Sequence, residues 1–433
     1  MNKIIFLLIA FFFYCFSLLG QEQHWSLQQC IEAGKKNAIA IKIQQLDIKK
    51  AQKEYNSVAN QFLPTVSFTG NQSYNFGSTI NPSTNGRESS NIQNDNFNLN
   101  AQMSLLDFKA IANAQKSKIA IELSKETLKI LENEYQLQIL ESYYQTLFTQ
   151  ELLKIQEEQF KNAEFNLERV KKEVAIGSKS KSDWYDMQLS FAQEEKRILE
   201  TKQLLGFQKK QLFQLINIEN TAIEAVVLNV LSETAFSQTM TIDNNPKLRY
   251  AKLNYESSLA DAKMERANNL PSLISFYGFS TFYFKTLNQL NVQTVDFGKQ
   301  IKDNKNQQLG IQLNVPVFNG FRSSKRFSAL KIEAEKTKLV IEQETLKVKN
   351  QIDLENQNKQ NYIKLSEKLQ EMKGFAETSF RSSQAKFSSG IIDAVVFSTV
   401  KNQLLATAYD WLKNQLQVKY VDQKIALLKG EMF

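Results

Sequence analysis

The sequence predicts a mainly helical, internally duplicated chain that carries four long β-strands. Three observations lead there. Gly and Pro number only 14 and 5 in 433 residues, against the roughly 7% and 5% of an ordinary globular chain, so turns are few and elements long. Short stretches of period-two alternation lie between the long helical spans. The whole order of elements then occurs twice, with Pro64 and Gly177 of the first copy matched by Pro271 and Gly390 of the second.

Composition excludes several classes. Hydrophobic residues make up 42% and charged residues 23%, too apolar a balance for a disordered chain. Two Cys cannot build a disulfide framework, and a single His excludes most His-based metal and triad chemistry. After residue 20 no run approaches the ~18 apolar residues of a membrane helix. A membrane β-barrel stays open, because its strands need only alternate. The formal charge of +8 comes from Lys and Arg interleaved with Glu and Gln along helical stretches. That is the pattern of solvated helix faces rather than of a nucleic-acid patch.

Residues 1–20 read as a secretory signal: Lys3 is the positive n-region, 4–19 is almost wholly apolar, and Gly20 is a small residue at the cut. Cys15 follows Phe12-Phe13-Tyr14, a poor lipobox. Cys30 is then the lone thiol of the exported chain, with no catalytic role, and His24 reads as surface. Residues 21–243 form the first structural repeat and 244–433 the second. Ser26 and Gln29 are spaced as a capping box for the first helix. The helical reading runs through 37–63 and stops at Pro64, which disfavours helix at the residue before it. Strand 65–76 places Val66, Phe68, Tyr74 and Phe76 on one face and Thr, Ser and Asn on the other. A solvated loop, 77–95, is dense in Asn, Ser and Gly. Strand 96–106 alternates Phe97, Leu99, Ala101, Met103 and Leu105 with Asn, Gln and Ser, and Asp107 marks its exit into helix. From 109 to 176 there is neither Gly nor Pro. A continuous helix there would run about 100 Å, so an elongated molecule is expected. Leu128, Leu131, Tyr135, Ile139, Tyr143 and Leu147 keep one narrow face apolar, as in a coiled coil. Gly177 interrupts the helix, and 218–243 is less regular.

The second repeat opens with Asn245 as a cap and Pro246 at the first helical position. Pro271 matches Pro64. Strands 272–284 and 307–317 follow, the second ending at Val315-Pro316-Val317-Phe318-Asn319-Gly320. The stretch 321–389 holds no Pro and one Gly, and Gly390 then interrupts the helix as Gly177 does in the first copy. A soluble antiparallel sheet would show the same alternation as a membrane one. The export signal and the aromatic residues near the strand ends favour the membrane. Four strands cannot close a barrel whose smallest form has eight, so several chains must share one, and three would supply twelve.

At this point the chain resembles the TolC-like outer-membrane efflux protein family. Ser26-Leu27, Ala33, Asn37, Ala51, Ala59 and Phe62-Leu63-Pro64 resemble its opening helix and strand start. Ser104-Leu105-Leu106-Asp107-Phe108 and Val315-Pro316-Val317-Phe318-Asn319-Gly320 resemble its strand-to-helix exits. Gly177 with Asp183, and Gly390 in the second copy, resemble its helix-hairpin motif. The resemblance implies a homotrimer with a twelve-stranded barrel in the outer membrane of a Gram-negative cell, continued by a long periplasmic α-barrel. It implies passive conduction for efflux or type I secretion, with a periplasmic adaptor, an inner-membrane transporter and outer-membrane lipid as partners, and no cofactor. It also implies a constriction near the hairpins, where Ser182, Asp183, Asp186, Phe387 and Asp393 are the candidates. The family's acidic positions in the second hairpin are not kept: Val396 and Thr399 stand there. A threefold ring of Asp183 or Asp186 would favour cations. Acidic residues are equally favourable at any helix start.

No Walker A loop, Rossmann fingerprint or paired catalytic carboxylate motif occurs, so no enzyme is expected. The alternative reading is a periplasmic coiled-coil adaptor with soluble β-domains. Four long alternating strands in two matched pairs favour the channel.

Overall fold

The computed structural model describes residues 23–80, 82–89, 91–219, 223–230, 241–287 and 295–431. The signal segment lies outside them. The chain forms two compact units, and each takes segments from both sequence repeats: 48–124 with 251–340 in one, the remainder in the other.

The first unit holds the four-stranded sheet. Its strands are β2 (Thr65–Asn75), β5 (Asn91–Leu106), β7 (Ser272–Leu287) and β8 (Asn306–Asn314), in the order β2-β5-β7-β8 and all antiparallel. The register puts Val66, Phe68, Leu99, Ala101, Tyr277, Phe279, Leu309 and Ile311 on one face. The other face carries Ser67, Thr69, Asn98, Asn100, Gln308 and Gln312, interrupted by Ile274, Phe276, Phe282 and Phe284 of β7. Each strand pair begins after its proline, as the duplication requires.

Several boundaries differ from the sequence reading; strand 272–284, for one, runs on to Leu287. Strand 96–106 begins earlier, at Asn91, because 92–95 pairs with neighbours on both sides and Asn91 with β7. Two partners override the turn preference of its Asn residues. The loop 77–95 shrinks accordingly, and it contains a small hairpin of β3 (Ser78–Ile80) and β4 (Arg87–Ser89). Strand 307–317 stops at Asn314, since Pro316 has no N–H to donate. The structure also divides the helix expected over 37–63. It becomes α2 (Ile39–Glu54) and α3 (Val58–Gln61), set off from the capped first helix α1 (Leu27–Asn37). Ala38 is extended (ψ 117°), and Ser57 caps α3 by accepting the Asn60 N–H at 3.1 Å, a local bond that competes with continued helix.

Among the described residues, β7 has no strand on its β8 side beyond Ser280. A short helix, labelled α7 below (Phe297–Asp303), covers the free edge: the Gln300 side-chain amide bonds both N–H and C=O of Phe284 (3.0 and 2.9 Å), and Asn304 donates to the Phe282 carbonyl (2.9 Å). Part of the otherwise unpaired edge is thereby satisfied.

Long helices follow each strand pair: α4 (Phe108–Ala175) and α5 (Lys181–Leu215), then α8 (Arg322–Ser388) and α9 (Ala394–Leu428). Their lengths, 68 and 35 residues against 67 and 35, restate the duplication. The second repeat's first helix is α6 (Pro246–Ala267), whose first turn is capped by Asn245 accepting from Lys247 N–H (2.9 Å).

The main core of the second unit is Leu27, Ile31, Ile139, Tyr143, Leu147 and Phe213 with their neighbours. Of the expected stripe on α4, Ile139, Tyr143 and Leu147 are fully buried. The capping box of Ser26 and Gln29 is present. β1 (Gln23–Trp25) pairs in parallel with β6 (Val226–Leu228), and Gln150 clamps Leu228 through its N–H and C=O (2.8 and 2.9 Å). Burial pushes the Cys30 thiol up to about 12, which suits a packed side chain and not a nucleophile. Among the described residues no helix is long and apolar enough to cross a membrane.

Candidate functional site

The two hairpin turns are built alike. Gly177 and Gly390 sit at φ 78° and 73°, a region open to Gly at little cost. Each closes a Schellman motif: Gly177 N–H bonds Val174 O and Ser178 N–H bonds Glu173 O, while Gly390 N–H bonds Phe387 O and Ile391 N–H bonds Lys386 O. The chain then re-enters helix through different caps. Ser180 and Asp183 form a reciprocal capping box at α5. At α9 the cap is Asp393, whose carboxylate accepts the Val396 N–H at 2.8 Å.

Asp183 does more than cap its own helix. Partial burial pushes its carboxyl up, but the Ser180 hydroxyl at 2.8 Å, the Ala394 and Ser180 N–H groups and nearby Lys179 together hold it below the usual range. Ala394 opens α9, so the start of the second turn's helix also biases this carboxylate toward its charged form. Asp186 is half-buried; Ser182 and Asp393 are exposed.

Phe387 is fully buried. It stacks on Phe397 with ring centroids 4.7 Å apart and planes 4° from parallel, and Arg169 and Lys179 lie over its ring at 5.2 and 4.1 Å. Val170, Met187 and Ala394 complete this small core. A ring sealed this way cannot present itself to a passage, so the expectation that Phe387 lines a constriction gives way to a packing role. The strand-boundary residues behave as junctions. Pro64 and Pro271 each immediately precede a strand. Asp107 caps α4 by accepting from Lys109 and Ala110 N–H (2.9 and 3.1 Å). Pro316 follows β8, and Gly320 and Phe321 are both left-handed (φ 62° and 59°).

A polar ladder between α5 and α9 escaped the sequence reading. Ser190 meets Ser398 at 2.7 Å, Glu194 holds Lys401 at 2.6 and 2.7 Å, and Arg197 donates to Asn402 at 3.2 Å. Glu194 and Lys401 are both buried. Burial pushes the Lys401 ammonium down from its ordinary value, opposed by the carboxylate of Glu194. The signal was present in principle. Met187, Glu194, Ile198, Thr201 and Leu205 are among the buried residues of α5, so a charge stands on a heptad seam, where polar residues fix register.

Among the described residues no group of His, Cys, Asp or Glu could hold a metal ion. The arrangement offers a packed turn pair with carboxylates at its surface.

The comparisons with known proteins bear on the fold and the family. The family model described as outer membrane efflux protein matches residues 31–217 and 239–431. The fold is similar to that of the CusC channel (14% identity, TM-score 0.78, covering 93% of this chain and 91% of that one). It is similar also to the outer membrane protein VceC of Vibrio cholerae (14%, 0.74, 93% and 95%) and to the CmeC outer membrane channel of Campylobacter jejuni (14%, 0.74, 93% and 85%). Curated proteins give no significant sequence match. The matching family is one of outer-membrane efflux channels and not of enzymes. With most of the chain covered in two consecutive blocks, this protein belongs to the outer membrane efflux protein family.

Proposed function

We propose that this chain is one third of a passive exit duct, a homotrimer whose barrel crosses the outer membrane and whose helices continue into the periplasm. An inner-membrane transporter joined through a periplasmic adaptor supplies the energy. The observation that carries the reading is the unfinished sheet. Its edges, β2 and β8, have no partner beyond them among the described residues, and their apolar residues stand in the open: Phe68 is 68% exposed, Leu309 78% and Leu313 63%. An open, apolar edge in a soluble protein invites aggregation. Pairing β8 of one copy with β2 of the next removes every edge, and three copies give twelve strands. The outward face is then apolar and the inward face mostly hydroxyl and amide, as a water-filled membrane barrel requires.

In this reading Asp183 and Asp186 lie near the inner mouth and give it a negative field. The adequate test is a mass measurement in detergent followed by conductance in a planar bilayer. Three chains per particle and a cation-selective pore are expected. Replacing Asp183 and Asp186 together by Ala should move the reversal potential toward zero. A monomer would remove the duct reading, and an unmoved potential would remove the two carboxylates from the constriction.

A further inference from the structure

At the helix-side ends of the strands, where α6 finishes and α4 and α8 begin, there is an open cavity of about 540 Å³. Lys109, Arg322 and Arg326 line it, with Glu265, Asn268 and Asn319. Glu265 is already engaged, taking Arg326 at 3.3 Å and Asn268 at 3.1 Å. Asn319 is held by Asn269 and Ser323 (3.0 and 2.8 Å). Lys109 and Arg322 are exposed and make no ion pair with a described residue. Three cations therefore face one committed carboxylate, which leaves the cavity electropositive.

Its surroundings are of the opposite kind. Val317 is 92% exposed and Phe318 75%. Phe321 is also exposed, set edge-on to Phe318 at 5.5 Å. Phe108 and Leu270 add to this apolar collar. Along the chain the order is apolar strand face, aromatic collar, then cations. That is the layering of a membrane–water interface, and basic pockets at that level take anionic lipid headgroups.

We propose that this cavity binds the phosphate of an anionic glycerophospholipid in the periplasmic leaflet, with the acyl chains lying along Phe318, Phe321 and the exposed strand face. Arg322 and Lys109 hold the phosphate, and the Arg326–Glu265 pair forms the wall. The inference rests on the outer-membrane reading and adds a lipid site to it. Phosphatidylglycerol would be titrated into the protein in neutral detergent, and the lipid retained per trimer read by native mass spectrometry against phosphatidylcholine. Wild type should retain phosphatidylglycerol selectively. Lys109→Gln with Arg322→Gln should weaken retention roughly thirtyfold, from the loss of two cations near a headgroup. Arg322→Gln alone should lie between, and Lys109→Arg with Arg322→Lys should retain it. Equal retention of both lipids by wild type, or of phosphatidylglycerol by wild type and both Gln variants, overturns the proposal. So does displacement of the lipid by sodium phosphate, which would make the occupant a soluble anion. The same spectra report the number of chains: a monomeric wild type brings down the duct reading with the lipid site, whereas a non-selective trimer brings down the lipid site alone.

Discussion

The two helical turns began as copies and now stabilise the same backbone by different chemistry. Both use a left-handed Gly to end one helix. After it, the first turn places a Ser and an Asp in a reciprocal capping box, and the second uses one Asp. The packing differs more. With Gly390 set against Gly177, Phe387 falls on Val174 and Phe397 on Trp184. Val174 and Trp184 are only partly buried, whereas Phe387 and Phe397 are sealed and stacked. A duplicated backbone thus keeps its dihedral requirements while its side chains specialise, one turn toward hydrogen bonding and the other toward core.

The largest test of that contrast is Phe387→Ala. Removing a fully buried aromatic ring should cost about 3–5 kcal/mol and free Arg169 and Lys179 from its face. Hydrogen exchange should rise across 165–190 and 380–400, with Val174→Ala having a much smaller effect. Equal effects would mean that the two turns share the load. Next in size is the cap. Asp393→Ala should cost about 1 kcal/mol, read as faster exchange at the start of α9. Asp183→Ala should loosen α5 less, because Ser180 still accepts the N–H of the third helical residue. The smallest effect is in pH. The folded carboxyl of Asp183 titrates below its ordinary value, so its contribution is present above the unfolded value of about 3.9 and is lost as pH falls through the folded one. Exchange in the first turn of α5, relative to the intrinsic rate of an unstructured chain at each pH, should therefore rise on acidification, and Asp183→Asn should flatten that dependence. A rise of the same size in the Asn variant would assign the effect to another group.

Much of the fold was legible because it rests on local rules. Pro64 and Pro271 force the change from helix to strand, and the breaker-free spans left little but helix. Gly177 and Gly390 could be read as turns because few other residues adopt their dihedrals. The misread segments depended on distant partners. The stretch 92–95 looks like loop until β2 and β7 bracket it. Ala38 carries no breaker signal; nearby, a Cβ on Gly34 would meet Ile139 at 2.6 Å, so close packing shapes this stretch. The candidate site divides in the same way. Asp183 was recognisable as a helix-start residue. The burial of Phe387 and the pairing of Glu194 with Lys401 were not, because each needs two helices from different repeats to be brought together.

The sequence by itself determined the element order, the duplication and the open sheet, since these follow from side-chain period, from proline and glycine geometry, and from strand number. Only the tertiary structure decided which charges are buried, which ring is core and which cations are left facing a cavity. Those properties belong to residues from separate parts of the chain that meet only on folding, and no local pattern encodes the distance between them.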